Sequence, residues 1–369
     1  MALLPLTSSS QAPSAWTPVP PPKEQIGIYV APNLAVVGDR LHLIFAGTNP
    51  KAIHPEVMQC WRSENDENWS EVRAPFFGLD LGRVRNIAIG TTRYAMAMVF
   101  QRQLTQGDRA FEIDFTLSAD NGWEWIQPVL VDSFVSESPR GTSIAVAGRE
   151  YAKKTEFAAA WGTEGNGVKA ALISLRDSVR APAKSVGYHS ALSDKVMIGG
   201  HSKGGFGVVW SDSNGLRSVQ LKAISGEAGK PMTLVNKDVQ NNFAVGARPR
   251  GGLELITNLG QESYLFGWDN GEWKRQTSPT PPPNTPPPVP GPNPACTLDR
   301  EDKLHVIYQP TGTSDVMYVN DRSGGWSVPE KVFTMRSSSA PYTIACTENF
   351  VWAAYAHGTH IVIAKRPIK

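Results

Sequence analysis

The chain is poor in the features that mark several large protein classes. It has 3 cysteines in 369 residues, an odd and sparse count that is typical of a reducing compartment. No run of about 18 apolar residues is present, which argues against membrane insertion. Charged residues make up 19%, and the formal net charge of +2 comes without a basic run, so nothing favours nucleic acid as a partner. No His or Cys set has metal-ligand spacing, and we predict no metal and no cofactor.

The start of the chain, Met-Ala-Leu-Leu-Pro-Leu-Thr-Ser, lacks the basic segment and the apolar stretch of a secretory signal. We therefore expect a cytoplasmic protein, or one released without a signal peptide of that kind. Apolar residues make up 41%, with 33 Gly and 29 Pro, which gives material for a core and for many turns. The sequence leaves homo-oligomer formation open.

A two-residue pattern, alanine followed by Val, Ile or Cys, returns about every fifty residues along the chain. Its copies are Ala35-Val36, Ala88-Ile89, Ala145-Val146, Ala244-Val245, Ala295-Cys296 and Ala345-Cys346, with Ile198-Gly199 where a seventh is due. A second apolar run follows each copy and usually ends in an aromatic residue. These runs are Leu41–Phe45, Met96–Phe100, Phe157–Trp161, Phe206–Trp210, Leu253–Thr257, Leu304–Tyr308 and Val351–Tyr355. The agreement of the two patterns indicates an internal repeat.

Two further segments complete the repeated unit. A third run, apolar or alternating, predicts a half-buried strand. In several units a fourth segment is marked by a tryptophan: Trp69, Trp125, Trp273 or Trp326. Four short strands repeated around an axis are typical of a β-propeller blade. We predict an all-β, seven-bladed β-propeller with four antiparallel strands per blade, in a single domain of residues 1–369.

The predicted blades cover residues 26–75, 76–130, 131–185, 186–235, 236–278, 290–333, and 334–369 together with 12–20. The last blade needs the N-terminal strand because the chain ends after three strands, and Trp16-Thr-Pro-Val matches the outer segment Trp326-Ser-Val-Pro. That strand should pair beside Ile361–Lys365 and cover an open sheet edge. The proline-rich segment 278–294 reads as a stiff strap of polyproline type between two blades.

The segment Ser118-Ala-Asp-Asn-Gly-Trp-Glu-Trp125 resembles the Asp box of the sialidase superfamily, Ser/Thr-x-Asp-x-Gly-x-x-Trp. We expect the Asp120 carboxylate to accept backbone N–H groups, Gly122 to take a positive φ, and Trp125 to pack between blades. In that superfamily the box is structural and lies away from the pocket, so the resemblance implies a fold and not a catalytic site.

Sialidase activity is not expected. Those enzymes use an Arg-Ile-Pro strand start, an arginine cluster and a Tyr/Glu nucleophile pair, and none of these can be matched here. The sequence is more similar to propeller lectins of the fucose-lectin-like kind. The units that carry this resemblance run from Asp302 to Tyr308 and on to Trp326-Ser, and from Asp39 to Phe45 and on to Trp69-Ser. The resemblance implies a glycan or another small molecule as ligand.

Four second strands place an aromatic residue next to a polar one, a pairing that suits sugars. The pairs are Trp161 with Glu164, Trp210 with Asp212, Tyr308 with Asp315, and Tyr355 with His357. Interblade packing is the alternative for these rings. The loops after the second strands differ from unit to unit, which favours one site over seven.

A second hypothesis is a cofactor-independent enzyme of the lyase, isomerase or cyclase type with one axial pocket. Its candidate residues are Asp80, Arg83, Arg85, Arg140 and His189. A third is a protein-docking platform. Cys296 and Cys346 read as small buried apolar residues, with a pairing of the two left open. We rank glycan binding first.

Overall fold

A computed structural model of the chain describes residues 15–23, 27–48, 55–79, 81–104, 109–136, 142–151, 154–163, 167–174, 184–187, 195–222, 225–248, 251–259, 262–280, 294–335 and 341–368. Within these ranges the backbone forms strands and turns. No helix long and apolar enough to cross a membrane occurs in them.

The strands, numbered in chain order, are β1 Thr17–Val19, β2 Ile28–Val37, β3 Arg40–Gly47, β4 Glu56–Ser63, β5 Arg83–Thr91, β6 Met96–Gln103, β7 Ala110–Ser118, β8 Val129–Val135, β9 Ile144–Tyr151, β10 Lys154–Thr163, β11 Gly167–Ser174, β12 Lys184–Gly187, β13 Val196–His201, β14 Gly205–Asp212, β15 Gly215–Leu221, β16 Met232–Val235, β17 Phe243–Ala247, β18 Leu253–Leu259, β19 Glu262–Asp269, β20 Glu272–Gln276, β21 Ala295–Leu298, β22 Leu304–Tyr308, β23 Asp315–Asn320, β24 Glu330–Thr334, β25 Tyr342–Cys346, β26 Phe350–His357 and β27 His360–Pro367.

The strands form seven antiparallel sheets, the blades of a propeller. Blades 2 to 6 are β5–β8, β9–β12, β13–β16, β17–β20 and β21–β24, each in sequence order. Blade 1 is β2–β4, and an isolated antiparallel bridge between Gln59 and Arg73 takes the place of its fourth strand. Blade 7 is β25–β27 with β1 added on the outside. The predicted seven-bladed, all-β architecture is confirmed.

The first strand of each blade is the innermost one. These strands contact one another in the order β2, β5, β9, β13, β17, β21, β25 and back to β2, which closes the ring. Neighbouring inner strands come very close: a Cβ on Gly148 would lie 2.4 Å from the Thr91 carbonyl oxygen, and one on Gly200 would lie 2.5 Å from that of Gly148. Glycine is therefore required at these two positions by the close approach of adjacent blades.

The hydrophobic core lies between the blades. One cluster joins Ala158 and Ala160 of β10 to Phe206 and Val208 of β14, while Phe157 of β10 faces blade 2. This division follows from strand geometry, because successive side chains of a strand point to opposite faces of the sheet. Each blade therefore contributes alternate residues to the interfaces before and after it.

The N-terminal strand closes the last blade, as predicted. In β1, Pro18 pairs with Ala364 of β27 in antiparallel register. Trp16, which is 6% exposed, packs edge-on against Tyr318 of blade 6 with the ring centroids 5.2 Å apart. The segment thus contacts two blades at once.

Some local predictions differ from the structure. The outer strand β8 continues to Val135, past the expected blade boundary at residue 130, and Trp125 and Trp326 precede their outer strands. The strap starts at the outer rim, where Thr280 bridges Gly325, but residues 281–293 lie outside the described ranges. All three cysteines are free thiols, so Cys296 and Cys346 form no disulfide with each other.

We expect Trp16→Ala to lower the free energy of unfolding by about 3–5 kcal/mol, because it empties a buried aromatic site between blades 6 and 7. Denaturant unfolding measures the change. Trp123→Ala is the matched control, since that ring is 52% exposed and its loss should cost less than about 1 kcal/mol. Equal losses in the two variants would contradict closure through Trp16.

Candidate functional site

The Asp box forms a tight turn between β7 and β8. Asp120 Oδ1 accepts the N–H groups of Trp123 and Glu124 at 3.1 and 2.9 Å. The Ser118 hydroxyl donates to Asp120 at 2.7 Å and accepts the N–H of Gly122 at 2.9 Å. Burial alone would raise the pKa of Asp120, but these hydrogen bonds outweigh it and lower the pKa below its usual value. The expected role of Asp120 is confirmed.

The same turn docks on blade 1 through Gly122. Its φ of +81° is in the left-handed region, as predicted, and its carbonyl oxygen accepts from Gln59 Nε2 at 3.1 Å and from the Arg73 guanidinium. Trp125 Nε1 donates to Gln59 Oε1 at 2.9 Å. A Cβ on Gly122 would lie 2.9 Å from the His42 ring, so only glycine fits this contact.

This docking holds two tryptophans together at the surface between blades 1 and 2. Trp123 is 52% exposed and packs edge-on against the half-buried Trp61 of β4, with centroids 5.3 Å apart. The Arg73 guanidinium carbon lies 4.8 Å from the Trp61 centroid and 5.2 Å from that of Trp123. One cation therefore contacts both rings.

Two adjacent turns extend the surface. Arg40 lies 5.9 Å from the Trp61 ring, and Arg93 lies 4.9 Å from the ring of Tyr94, which is 53% exposed. The Tyr94 carbonyl accepts the N–H of Asn121 in the Asp box, which ties the turns together. We call this set the aromatic–arginine surface, and it consists of Arg40, Trp61, Arg73, Arg93, Tyr94 and Trp123.

His42 lies beneath this surface and is 1% exposed. Its Nδ1 accepts from Gln59 Nε2 at 3.0 Å, so the proton is on Nε2, for which the described residues offer no hydrogen-bond partner. Burial, and then the charges of Arg40 and Arg73, lower the pKa of His42 to about 4. The imidazole is neutral near pH 7 because burial disfavours its charged form and the two arginines add to that effect.

The four aromatic residues predicted to stack on sugars are in the core. Trp161 is 0%, Trp210 1%, Tyr308 4% and Tyr355 5% exposed. Trp161 Nε1 donates to Asp132 at 2.8 Å, and the rings pack against neighbouring blades. Their burial leaves no open ring face and contradicts the stacking role, because the preceding blade covers each of these rings.

Two of the polar residues paired with them, Asp212 and Asp315, serve the fold. Asp212 accepts the N–H of Asn214 at 2.8 Å and faces Arg217. Asp315 accepts from Lys331 and from Thr334, both at 2.8 Å. The sequence analysis also named His357 and Glu164: His357 is half-buried beside Tyr355, and Glu164 lies outside the described residues. Asp212 and Asp315 thus act in turns and ion pairs.

The axial candidates are described only in part. Arg83 and Arg85 begin the inner strand β5, and Arg85 Nε donates to Gln103 at 3.0 Å. Asp80, Arg140 and His189 lie outside the described residues. The sequence analysis missed Lys195, whose amine donates to the carbonyl oxygens of Phe243 and, at 3.2 Å, Pro294. Burial lowers the pKa of Lys195 to about 7.

The described ranges contain no cluster of three or more His, Cys, Asp or Glu that could hold a metal ion. The sequence analysis also missed Trp61 and Arg73, and it treated Trp123 as an undefined position of the Asp box. The one available signal was that the Asp box contains a tryptophan besides Trp125. The turn directs Trp125 inward and leaves Trp123 at the surface.

We expect Asp120→Ala to lower the free energy of unfolding at pH 7 by about 1–2 kcal/mol, because two backbone N–H groups lose their acceptor. The folded pKa of Asp120 is below the unfolded value, so its contribution is present above the unfolded pKa and is lost as pH falls through the folded one. The difference between wild type and variant should therefore shrink on acidification. Asp120→Asn, which keeps one acceptor oxygen, should lose less, and equal loss would contradict this account.

We expect the His42 ring to titrate near pH 4 when histidine ring chemical shifts are followed against pH. Because the folded pKa is below the unfolded value of 6.5, the unfolded chain binds the proton first, and stability falls by about 3 kcal/mol from pH 6.5 to 4. Arg40→Gln should raise the pKa of His42 by removing a positive charge. A midpoint above pH 6 would contradict the described environment.

Comparison with solved structures shows the fold. The Penicillium chrysogenum α-L-arabinanase, solved with arabinobiose, matches 95% of this chain and 98% of its own at 11% identity, with a TM-score of 0.52. The NanB sialidase of Streptococcus pneumoniae matches 83% of this chain and 68% of its own at 9% identity, with a TM-score of 0.50. The Aleuria aurantia lectin, solved with a fucosyl disaccharide, matches 76% and 90% at 13% identity, with a TM-score of 0.46.

No protein-family model and no curated protein matches the sequence. At these identities the structural likeness shows a β-propeller fold and nothing about the ligand.

Proposed function

We propose that this propeller is a glycan-binding protein and that the aromatic–arginine surface is its binding site. The observation that carries the proposal is the exposed Trp123, held edge-on to Trp61 with Arg73 against both rings. Large exposed aromatic rings are costly on a soluble surface and mark interaction sites when they cluster. The proposal rests on this geometry and not on the low-identity likeness to sugar-binding proteins.

The chemistry of the surface suits a sugar. An indole face packs on the apolar C–H face of a pyranose, and two aromatic rings at a steep angle to each other offer the sugar two contact surfaces. Guanidinium groups donate several hydrogen bonds in a fixed fork to ring substituents. Trp123 and Tyr94 supply the first kind of contact, and Arg40 and Arg93 supply the second.

The site is also well ordered before any ligand binds. The backbone at Trp123 is fixed by Asp120, and the Gln59 side chain that supports the turn has His42, Gly122 and Trp125 as partners. Binding at such a site orders few groups anew, so less of the contact energy is lost to conformational entropy. The enzyme and docking-platform hypotheses stay predictions.

We expect Trp123→Ala to weaken glycan binding about tenfold, the scale of a lost stacking contact, with the melting temperature nearly unchanged because the ring is half exposed. A glycan array identifies the ligand, and calorimetric titration measures both proteins against it.

The control is Tyr264→Ala on blade 5, where Arg275 lies 4.4 Å from the tyrosine ring in a similar contact far along the chain. This variant should bind like wild type. Glycan binding that survives Trp123→Ala and is lost in Tyr264→Ala, or no binding to any glycan, would overturn the proposed site.

A further inference from the structure

We infer that the ligand of the aromatic–arginine surface is an anionic sugar, one that bears a carboxylate or a sulfate group. The inference rests on the proposed function and narrows its ligand class. It is carried by the three arginines around the two tryptophans, which form no ion pair with a carboxylate of the described ranges.

The three arginines of the surface differ from seven other arginines of the described ranges, which form ion pairs. Arg102, Arg149, Arg322 and Arg366 are examples that pair with carboxylates, in contacts such as Arg366 with Glu330 at 2.7 Å. Arg40, Arg73 and Arg93, in contrast, make no ion pair within the described part of the chain. Their recorded side-chain neighbours are aromatic rings, together with the Gly122 and Gln59 oxygens for Arg73.

The carboxylates nearby are committed to other partners. Both oxygens of Asp120 accept N–H groups within the Asp box. Glu150 accepts the backbone N–H of Arg93. Asp39 and Glu124 belong to the same turns, and neither forms a salt bridge with Arg40, Arg73 or Arg93. The guanidinium groups are thus left for an external anion.

The potential at the floor of the site agrees with this arrangement. Burial, and then the charges of Arg40 and Arg73, lower the pKa of His42. Burial also lowers the pKa of Arg73, and Asp120 offsets this only in part. A bound anion would relieve both effects, because it supplies the missing negative charge beside two partly desolvated cations.

The geometry places such an anion well. The Arg73 guanidinium carbon lies 5.2 Å from the Trp123 centroid, Arg40 lies against the neighbouring Trp61, and Arg93 lies against Tyr94, whose carbonyl oxygen accepts the Asn121 N–H. We expect the substituents of a pyranose stacked on Trp123 to meet one of these guanidinium groups. A carboxylate or sulfate accepts two parallel N–H groups from one guanidinium, which a neutral hydroxyl cannot do. The charged substituent therefore decides specificity, and the rings supply the shared stacking contact.

The test uses matched pairs of probes that differ only in charge. One pair is trigalacturonate and its fully methyl-esterified form, and the other is a galactose disaccharide with and without a 6-sulfate. We expect the full chain to bind the charged member of at least one pair at least about tenfold more tightly in calorimetric titration, with the preference reduced at high salt. The two pairs distinguish a carboxylate from a sulfate.

Two variants locate the effect. Arg40→Gln should lower the affinity for the charged probe toward that of the neutral one and leave the neutral affinity unchanged. Arg275→Gln, which removes an arginine from a similar ring contact on blade 5, should change neither. Binding of the charged probe should also raise the pKa of His42, a readout that does not depend on affinity.

Each result decides the matter. Equal affinity for charged and neutral members, with both lost in Trp123→Ala, would overturn the anionic specificity and leave the glycan site standing. Absence of binding to every sugar on an array would overturn the proposed function itself. Tighter binding to an oligothymidylate than to either charged sugar would overturn both in favour of a nucleic-acid surface.

Discussion

The close approach of the seven inner strands is the constraint on which the rest of the structure depends. A Cβ at Gly148 or Gly200 would overlap the backbone of the preceding blade, so the innermost positions must be small. Adjacent blades diverge with distance from the axis, and the space between them must be filled by larger side chains further out. This explains the order found in several units, with Ala or Gly first, then a buried ring such as Phe157 or Trp210, then an outer tryptophan such as Trp273.

The divergence of adjacent blades also explains which features could be predicted from the sequence and which could not. Residue size along the chain increases with distance from the propeller axis. The repeat, the blade count and the closing strand at Trp16 could therefore all be predicted from the order of small and aromatic residues. The exposure of each aromatic ring could not be predicted, because it depends on which residues the neighbouring blade places opposite that ring. Trp210 ends a strand and looks available, yet blade 3 covers it, whereas Trp123 lies inside a structural motif and is open. The meeting of Trp61 with Trp123 needs an interblade register that no local pattern specifies.

Contacts between an arginine and an aromatic ring recur at several blade interfaces. The exposure and the ion pairing of these residues differ from one interface to another. Between blades 7 and 1, Arg62 lies 5.2 Å from Trp352, and the two residues are 3% and 0% exposed. Between blades 6 and 7, Arg366 lies 4.8 Å from the buried Tyr318 and pairs with Glu330. Both arrangements are closed or neutralised. Among these three interfaces, the one between blades 1 and 2 has exposed rings and unpaired charge, which favours one ligand site on this face over a repeated set.

The Asp box links this site to the fold. The sequence of the Asp box predicts a structural role, because Asp120 and Gly122 complete a turn and Trp125 anchors that turn. The same bonds fix the backbone of Trp123, so the exposed ring is held by a framework whose hydrogen-bonding groups are largely used within the protein. A ligand then meets few competing internal acceptors and a set of cations without carboxylate partners. Structural and binding roles are therefore not alternatives here, because the rigidity of the turn is what lets an exposed tryptophan serve as a defined surface.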